Sequence, residues 1–326
     1  MMKPNFRIAL CSIIALFLIF SCKKENKNIW ETEIETAEKP VEITNISKEF
    51  YDENLPLQEF QQKYPWFQGT VSNEDFLKRK TDSSEIKIYQ EAINQIDEAK
   101  LQKELTELFA RVKHYFPNFV EPKVFLFSSA LQMATDPIFL QPEDHFLFID
   151  ITGFMGENHK RYEGLEQYYQ KSMNPRNIVP KVSEIIAENM VPVSGEHQKF
   201  IDHIIYYGKI MTLQDAFLPS FPENLKIGYT PQQYDWAKTN EANIWNYFVE
   251  NDLLFSDDAR LQERFIAPGP FSKFYTQIDN ESSPQIAIFI GWQICKSFYV
   301  KHSKTPLQDF MKMSAEEIFN KAGYKP

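Results

Sequence analysis

The stretch over residues 284–300 limits the possible folds of this chain more than any other. Ser283-Pro284 opens it, and apolar residues such as Phe289, Ile290 and Ile294 surround the predicted helix on nearly every side. A helix without a polar face has to be covered all round by other elements. We therefore predict that this helix lies at the centre of the fold.

Helical patterning dominates the rest of the chain. An apolar period of 3.6 residues predicts a helix over 98–116 that ends at Pro117. Hydroxyl side chains at Thr230, Thr305 and Ser314 are predicted to cap helices. Further helices are predicted over 175–191, 197–217, 231–250, 306–312 and 315–322.

Short apolar runs early in the chain predict a small β-sheet. Residues 41–44 alternate between apolar and polar, while 122–127 and 145–150 are apolar runs that are typical of paired strands. No linker or internal repeat divides the remainder. The predicted class is therefore α+β, a mostly helical single domain over residues 40–326.

Composition and charge exclude several classes of function. The 326 residues are 43% hydrophobic, which is enough to bury the core of a large domain. There are 45 acidic and 35 basic residues, a net charge of −10, and no Lys/Arg run exceeds two residues. Binding to nucleic acid is therefore not expected. The sequence also lacks both glycine-rich phosphate-binding motifs.

Residues 1–21 have the pattern of a bacterial lipoprotein signal peptide. Lys3 and Arg7 precede an apolar stretch over residues 8–20. This stretch is too short to span a bilayer, since a spanning helix needs about 20 residues. The sequence Ile19-Phe-Ser-Cys22 resembles a lipobox, so Cys22 is predicted to become an N-terminus acylated with fatty acids such as palmitate. An ordinary signal peptide and a short membrane anchor are the alternatives.

Residues 22–39 are predicted to form the lipidated N-terminus and a flexible tether, because they are mostly polar and charged. Removal of the signal peptide would leave 33 basic and 45 acidic residues and a charge of −12. The mature chain would keep Cys295, which lies in an apolar run. We predict a buried, inert thiol there and no disulfide.

Five ordered motifs resemble the gliding-motility lipoprotein GldB family of the Bacteroidetes. They are Ile205-Tyr-Tyr-Gly-Lys209, Ile227-Gly-Tyr-Thr-Pro-x-Gln-x-x-Trp236, Asn240-Glu-x-x-Ile-Trp-x-Tyr-Phe248, Arg264-Phe-Ile-x-Pro-x-Pro-Phe-Ser-Lys-Phe-Tyr275 and Asp279-Asn-Glu-Ser-x-x-x-Ile-x-x-x-Ile-Gly-Trp-Gln-Ile294. The chain departs from the family at Ser283 and Ala267, where Pro and Asn are usual. The resemblance implies a cell-envelope lipoprotein that works with other proteins of the gliding and secretion apparatus.

More remotely, the family is similar to zinc peptidases of the gluzincin kind, which carry His-Glu-x-x-His on one helix and a Glu ligand on the next. In this alignment Ala187 and Val191 replace both histidines, Glu188 remains, and Tyr207 replaces the third ligand. Alanine and valine cannot coordinate zinc. The resemblance therefore implies a degenerate peptidase fold with no metal, no cofactor and no catalytic residues.

Other candidate sites have a structural interpretation that is at least as good. His197 and His203 are six residues apart and would face different sides of a helix. His159 and Glu163 have the spacing of a metal pair but lie in a glycine-rich loop. Ser194 is expected to cap a helix rather than act as a nucleophile, since no G-x-S-x-G motif is present.

The segment Ala267–Tyr275 carries three aromatic residues, but its two prolines and one glycine disfavour regular structure. We interpret it as a packed loop or as a surface that binds a partner protein. Most other aromatic residues of the chain lie in helical patterns and are expected to be core.

Three classes of function are compatible with these observations: a non-enzymatic lipoprotein of the gliding machinery, a cryptic envelope hydrolase and a carbohydrate-binding lipoprotein. The missing zinc ligands disfavour the hydrolase, and the apolar setting of most aromatics disfavours carbohydrate binding. The first class is therefore our prediction. Lys23-Lys24 after Cys22 favours the outer membrane, with the domain facing the periplasm.

Changing Cys22→Ser is expected to abolish acylation, because only the thiol accepts the lipid. Incorporation of labelled palmitate and partitioning between membrane and soluble fractions measure this directly. A variant that still incorporates the label and stays wholly with membranes would show that Cys22 is not the lipidated residue.

Overall fold

A computed structural model describes residues 28–35, 39–193, 195, 199–277 and 279–326. Cys22, the signal peptide, Ser194 and His197 lie outside these residues. No helix in the described part of the chain combines the length and the apolar character needed to cross a bilayer.

A four-stranded sheet forms early in the described chain, in the order β1-β2-β4-β3. Strands β1, β2 and β4 are parallel to one another, and β3 is antiparallel to β4. The predicted pairing of the two apolar runs is confirmed, whereas β3 was not predicted. The strands are β1 (Ile43–Asn45), β2 (Lys123–Phe127), β3 (Ile138–Gln141) and β4 (Phe146–Asp150).

Both faces of the sheet are buried, as is usual for parallel strands. Val124 and Leu147 are register partners, and they belong to the main hydrophobic core. Phe125 and Phe148, the next pair, belong to a second cluster that includes Phe60. Successive side chains along a strand point to opposite faces of the sheet, so these strands contribute residues to two separate hydrophobic cores.

The helices up to residue 170 are α1 (Ile46–Phe50), α2 (Leu57–Lys63), α3 (Asn73–Thr81), α4 (Ser83–Ile93), α5 (Glu98–Tyr115) and α6 (Gln167–Gln170). Those that follow are α7 (Ile178–Met190), α8 (Phe200–Phe217), α9 (Glu223–Lys226), α10 (Pro231–Thr239), α11 (Glu241–Glu250), α12 (Arg260–Phe265), α13 (Ile286–Lys301), α14 (Leu307–Lys312) and α15 (Ala315–Ala322). The predicted class of a mostly helical α+β domain is thus confirmed.

The single helix predicted over 231–250 is wrong in one respect, because the chain breaks at Asn240 into α10 and α11. The Asn240 side chain donates a hydrogen bond to the carbonyl oxygen of Trp236 at 2.9 Å. Asparagine competes in this way with the helical hydrogen-bond ladder.

Two of the predicted helix starts are correct. Thr230 accepts a hydrogen bond from the amide of Gln233 in a full capping box, and Ser314 accepts one from the amide of Glu317. Thr305 makes no such bond, since Pro306 occupies the cap position of α14.

The start of α13 differs from the prediction, and the difference is non-local. Ser283 donates to the carbonyl of Gln233 instead of capping the helix. Gln285 precedes the helix with a left-handed φ of 51°. The amide of Ile286 donates to the hydroxyl of Ser272, which belongs to a distant loop and could not be identified as a cap from the local sequence.

The crossing of α8 and α13 forms the centre of the fold, which confirms the central position predicted for the apolar helix. Ile290 and Trp292 are fully buried there. The two helices meet at glycine: a Cβ atom on Gly208 would overlap the carbonyl oxygen of Gly291, and one on Gly291 would overlap that of Ile204. Their backbones therefore approach more closely than side chains would allow.

Gly291→Ala is expected to lower the free energy of unfolding by at least about 2 kcal/mol, because the added methyl group would push two packed backbones apart. Thermal and denaturant unfolding of the mature domain measure the loss. Gly195→Ala is the matched control, since a Cβ there meets no atom within 4 Å. Equal stability of the two variants would contradict the close crossing.

Candidate functional site

A buried ion pair lies beside the central crossing. The ammonium group of Lys226 on α9 is 2.8 Å from the carboxylate of Asp215 on α8, and the two side chains are 2% and 7% exposed. The indole N–H of Trp292 on α13 donates to the other oxygen of Asp215 at 2.6 Å. Both carboxylate oxygens therefore have partners, as a buried charge requires.

A second pair of charges extends this network toward the surface. Glu223 accepts hydrogen bonds from the hydroxyl of Tyr234 and the ammonium of Lys296. Lys296 also lies 3.7 Å from the ring centroid of Trp292. Burial opposes ionisation of Glu223, but the lysine charge and these hydrogen bonds hold its pKa below the ordinary value. The negative charges of two acidic residues and the positive charges of two lysines thus balance one another around Trp292.

A cavity of about 700 Å³ adjoins this network. Its lining includes Asp215, Lys226, Lys296 and Tyr299, together with Asn28 and Trp30 from the start of the described chain. Cys295 also lines it, but burial raises the pKa of its thiol to about 12. The thiol therefore stays protonated at neutral pH and is a poor nucleophile. The predicted burial of Cys295 is confirmed.

Residues 28–35, here called the strap, lie partly against the domain although they fall in the predicted tether. The Trp30 ring meets Tyr299 and Tyr115 edge-on, with centroids 4.9 and 6.0 Å away. Arg111 on α5 donates to the carbonyl oxygen of Trp30 at 3.2 Å. The Asn28 side chain donates to the carbonyl of Pro219 at 3.1 Å. This part of the tether is consequently held by the folded domain.

The helix aligned with the peptidase motif is α7. Ala187 and Val191 belong to the hydrophobic core, while Glu188 is half-buried beside a crevice of about 200 Å³. Burial, and then the nearby carboxylates of Glu184 and Asp136, raise the pKa of Glu188 to about 7. Among the described residues, no three His, Cys, Asp or Glu side chains are arranged to hold a metal ion.

The neighbour of this helix is α8, which carries Tyr207. Burial raises the pKa of Tyr207, and the charge of Glu188 adds to the shift. Glu188 and Tyr207 therefore lie on two helices that are neighbours in the structure. The side chains of Ala187 and Val191 offer no electron pair to a cation.

The other sequence candidates form no common site. His159 accepts a hydrogen bond from the amide of Arg161 and begins a short 3₁₀ turn, while Glu163 is exposed. The His203 ring contacts the side-chain amide of Gln262 at 3.1 Å.

The segment Ala267–Tyr275, here called the aromatic loop, is irregular as predicted. Arg264 on α12 donates to the carbonyl oxygen of Lys273 at 2.8 Å and to the hydroxyl of Tyr247 at 3.0 Å. Its guanidinium lies between two rings, 4.6 Å from the centroid of Phe265 and 4.3 Å from that of Tyr275. These contacts fix the loop on the helical body.

Tyr275 stands out from the loop because its side chain is 75% exposed while its backbone is strained, with a φ of 62°. The carboxylate of Asp279 accepts hydrogen bonds from the amides of Tyr275 and Thr276 at 2.9 and 3.0 Å. Although burial opposes ionisation of Asp279, these bonds hold its pKa below the ordinary value. A non-glycine residue keeps such a conformation only where its surroundings impose it.

Sequence reasoning found the aromatic loop but missed the charged network. Asp215 and Lys296 each interrupt an apolar helix, and this was the available signal. Their partners Lys226 and Glu223 lie on a separate short helix, and no local pattern connects them.

The structure is thus a mostly helical α+β domain. Its exposed aromatic loop is fixed on the helical body, and its N-terminal strap packs against the domain. The chain belongs to the family described as gliding motility protein GldB, which matches residues 27–326. This family of lipoproteins implies association with the cell envelope and a role in a motility apparatus. No curated protein and no solved structure matched the chain.

Glu188→Gln is expected to raise the melting temperature more at pH 8 than at pH 5. The ordinary pKa of glutamate is 4.5, and that of Glu188 is about 7 in the folded protein. Between these values the folded state keeps a proton that the unfolded state has lost, so stability falls as pH rises through this window. Glutamine removes that cost. Equal changes of melting temperature at the two pH values would contradict the raised pKa.

Proposed function

We propose that this protein is a non-enzymatic lipoprotein of the gliding machinery and its associated secretion system, anchored through Cys22 and facing the periplasm. It acts by binding other proteins of that apparatus. Family membership supports the motility role. The lipobox pattern supports the anchor, and Lys23-Lys24 favours the outer membrane.

The observation that carries the binding role is the aromatic loop. Tyrosine and arginine are enriched among the residues that dominate the energy of protein interfaces. Tyr275 is exposed, and its contact with Arg264 and the hydrogen bonds to Asp279 fix it before any partner arrives. A preorganised side chain loses less conformational freedom on binding, which favours affinity.

The donor set of α7 and α8 supports the absence of peptidase activity. A catalytic zinc uses three protein ligands and a water molecule. Ala187 and Val191 have no coordinating atom, and both are buried in the core. We therefore propose a degenerate gluzincin-like fold in which Glu188 has lost its zinc-dependent role.

Chromosomal Tyr275→Ala and Glu188→Gln variants separate the two interpretations. Tyr275→Ala is expected to impair gliding and adhesin secretion at normal protein level, because the partner would lose its main contact. Glu188→Gln is expected to leave both intact. Spreading of colonies, movement of single cells and secreted adhesin provide the measurements, with elemental analysis of the purified mature protein for zinc.

Tyr275→Phe is the matched control, since it keeps the ring beside Arg264 and should retain gliding. The melting temperature of each variant shows whether it is folded. An immotile strain with a stable Glu188→Gln protein, or close to one zinc per chain, would favour a cryptic hydrolase and overturn the proposal. Normal gliding with Tyr275→Ala would show that the aromatic loop is not the binding surface.

A further inference from the structure

The strap joins the domain at the C-terminal end of α13. Tyr299, which holds Trp30, lies in the last turn of that helix. Trp30 also contacts Tyr115, the last residue of α5, so its indole ring packs against the ends of two helices. With the hydrogen bonds from Arg111 and from Asn28, the strap has four contacts to the body within three residues. It is therefore a defined attachment point.

The distance from this attachment point to the predicted lipid is short. Asn28 follows Cys22 by six positions. Even a fully extended chain spans at most about 3.6 Å per residue, so Asn28 lies within roughly 22 Å of Cys22. The end of the domain that carries Trp30 must then stay close to the surface in which the acyl chains are embedded.

The surface beside the attachment point suits a lipid bilayer. Val300 is 84% exposed and Ile29 is 44% exposed, and both line the cavity that the strap borders. Lys304, four positions after Val300, is exposed as well. Three lysines and one glutamate lie between Cys22 and Asn28. Glu31 is also exposed, so the charges near this surface have both signs. The short chain between Cys22 and Asn28 and the exposed apolar side chains, rather than charge, therefore indicate contact with the bilayer.

The aromatic loop lies at the other end of the same helix. Ser272 accepts the hydrogen bond from the amide of Ile286, the first residue of α13, at 3.1 Å. The helix runs for 16 residues to Lys301. At about 1.5 Å per residue its two ends are some 24 Å apart.

We propose that the end of the domain formed by Ile29, Trp30 and Val300 faces the lipid bilayer, and that Trp30 fixes this orientation so that the aromatic loop points away from the membrane. The inference rests on the lipid anchor of the proposed function. The chemical partner of this surface is the phospholipid interface, where tryptophan and tyrosine rings are enriched and aliphatic side chains reach the boundary between the headgroups and the acyl chains. Its role is to hold the partner-binding loop at a fixed height above the membrane.

The test uses the full acylated protein in vesicles of phosphatidylethanolamine and phosphatidylglycerol that contain a lipid with a nitroxide on its headgroup. A fluorophore is attached to a cysteine introduced as Val300→Cys or as Tyr275→Cys; Cys295 is buried and does not compete. We expect strong quenching at position 300 and little at position 275. Trp30→Ala should remove most of this difference.

Two further variants keep the test informative. Arg111→Gln deletes the hydrogen bonds to the carbonyls of Trp30 and Thr32 without touching the core, and it should also reduce the difference. Trp66→Ala is the control, since Trp66 packs beside Phe125 of the second hydrophobic cluster and makes none of the contacts described for the strap, and it should retain the difference.

The outcomes distinguish the orientation from the anchor. Palmitate incorporation is measured first, and its absence would overturn the lipid anchor and the orientation together. Acylated protein with equal quenching at both positions, or with stronger quenching at position 275, would overturn the orientation alone. A difference that persists in folded Trp30→Ala and Arg111→Gln proteins would show that the strap does not set it.

Discussion

The close crossing of α8 and α13 is the constraint on which the rest of the structure depends. Gly208 and Gly291 allow the two backbones to meet without side chains between them. Lys209, next to the first glycine, donates to the carbonyl oxygens of Met311 and Met313 and thereby fixes the end of α14. Trp292, next to the second, receives its partner Asp215 from α8. Both glycines lie in motifs by which the sequence resembles the GldB family, and the close crossing gives a packing reason for glycine at these two positions.

The same crossing determines where the aromatic loop and the strap lie. Helix α13 is buried over most of its length, and each of its two ends contacts a segment near the outside of the domain. Its N-terminal end is capped by Ser272 of the aromatic loop, and its C-terminal end presents Tyr299 to the strap. The loop and the strap are therefore separated by the length of one helix.

Several features that depend on residues close together in the chain were predicted correctly, whereas several that depend on residues far apart in the chain were not. Helix α5 and the capping box at Thr230 depend on neighbours within four residues, and their predictions were confirmed. The start of α13 depends on Ser272, which is 14 positions away, and its prediction was wrong. Strand β3 is paired only along one edge, and a run of four residues is too short to reveal itself by alternation.

The candidate sites show the same division. Sequence alone determined the lipobox pattern, the absence of metal-ligating side chains at positions 187 and 191, and the irregular character of the aromatic loop, because residue types and chain-breaking prolines decide these properties. Only the tertiary structure decided that Trp30 lies against the domain, that Tyr275 is held in a strained and exposed conformation, and that four charged side chains surround Trp292. The physical reason is that each of these states is imposed by contacts between segments far apart in the chain.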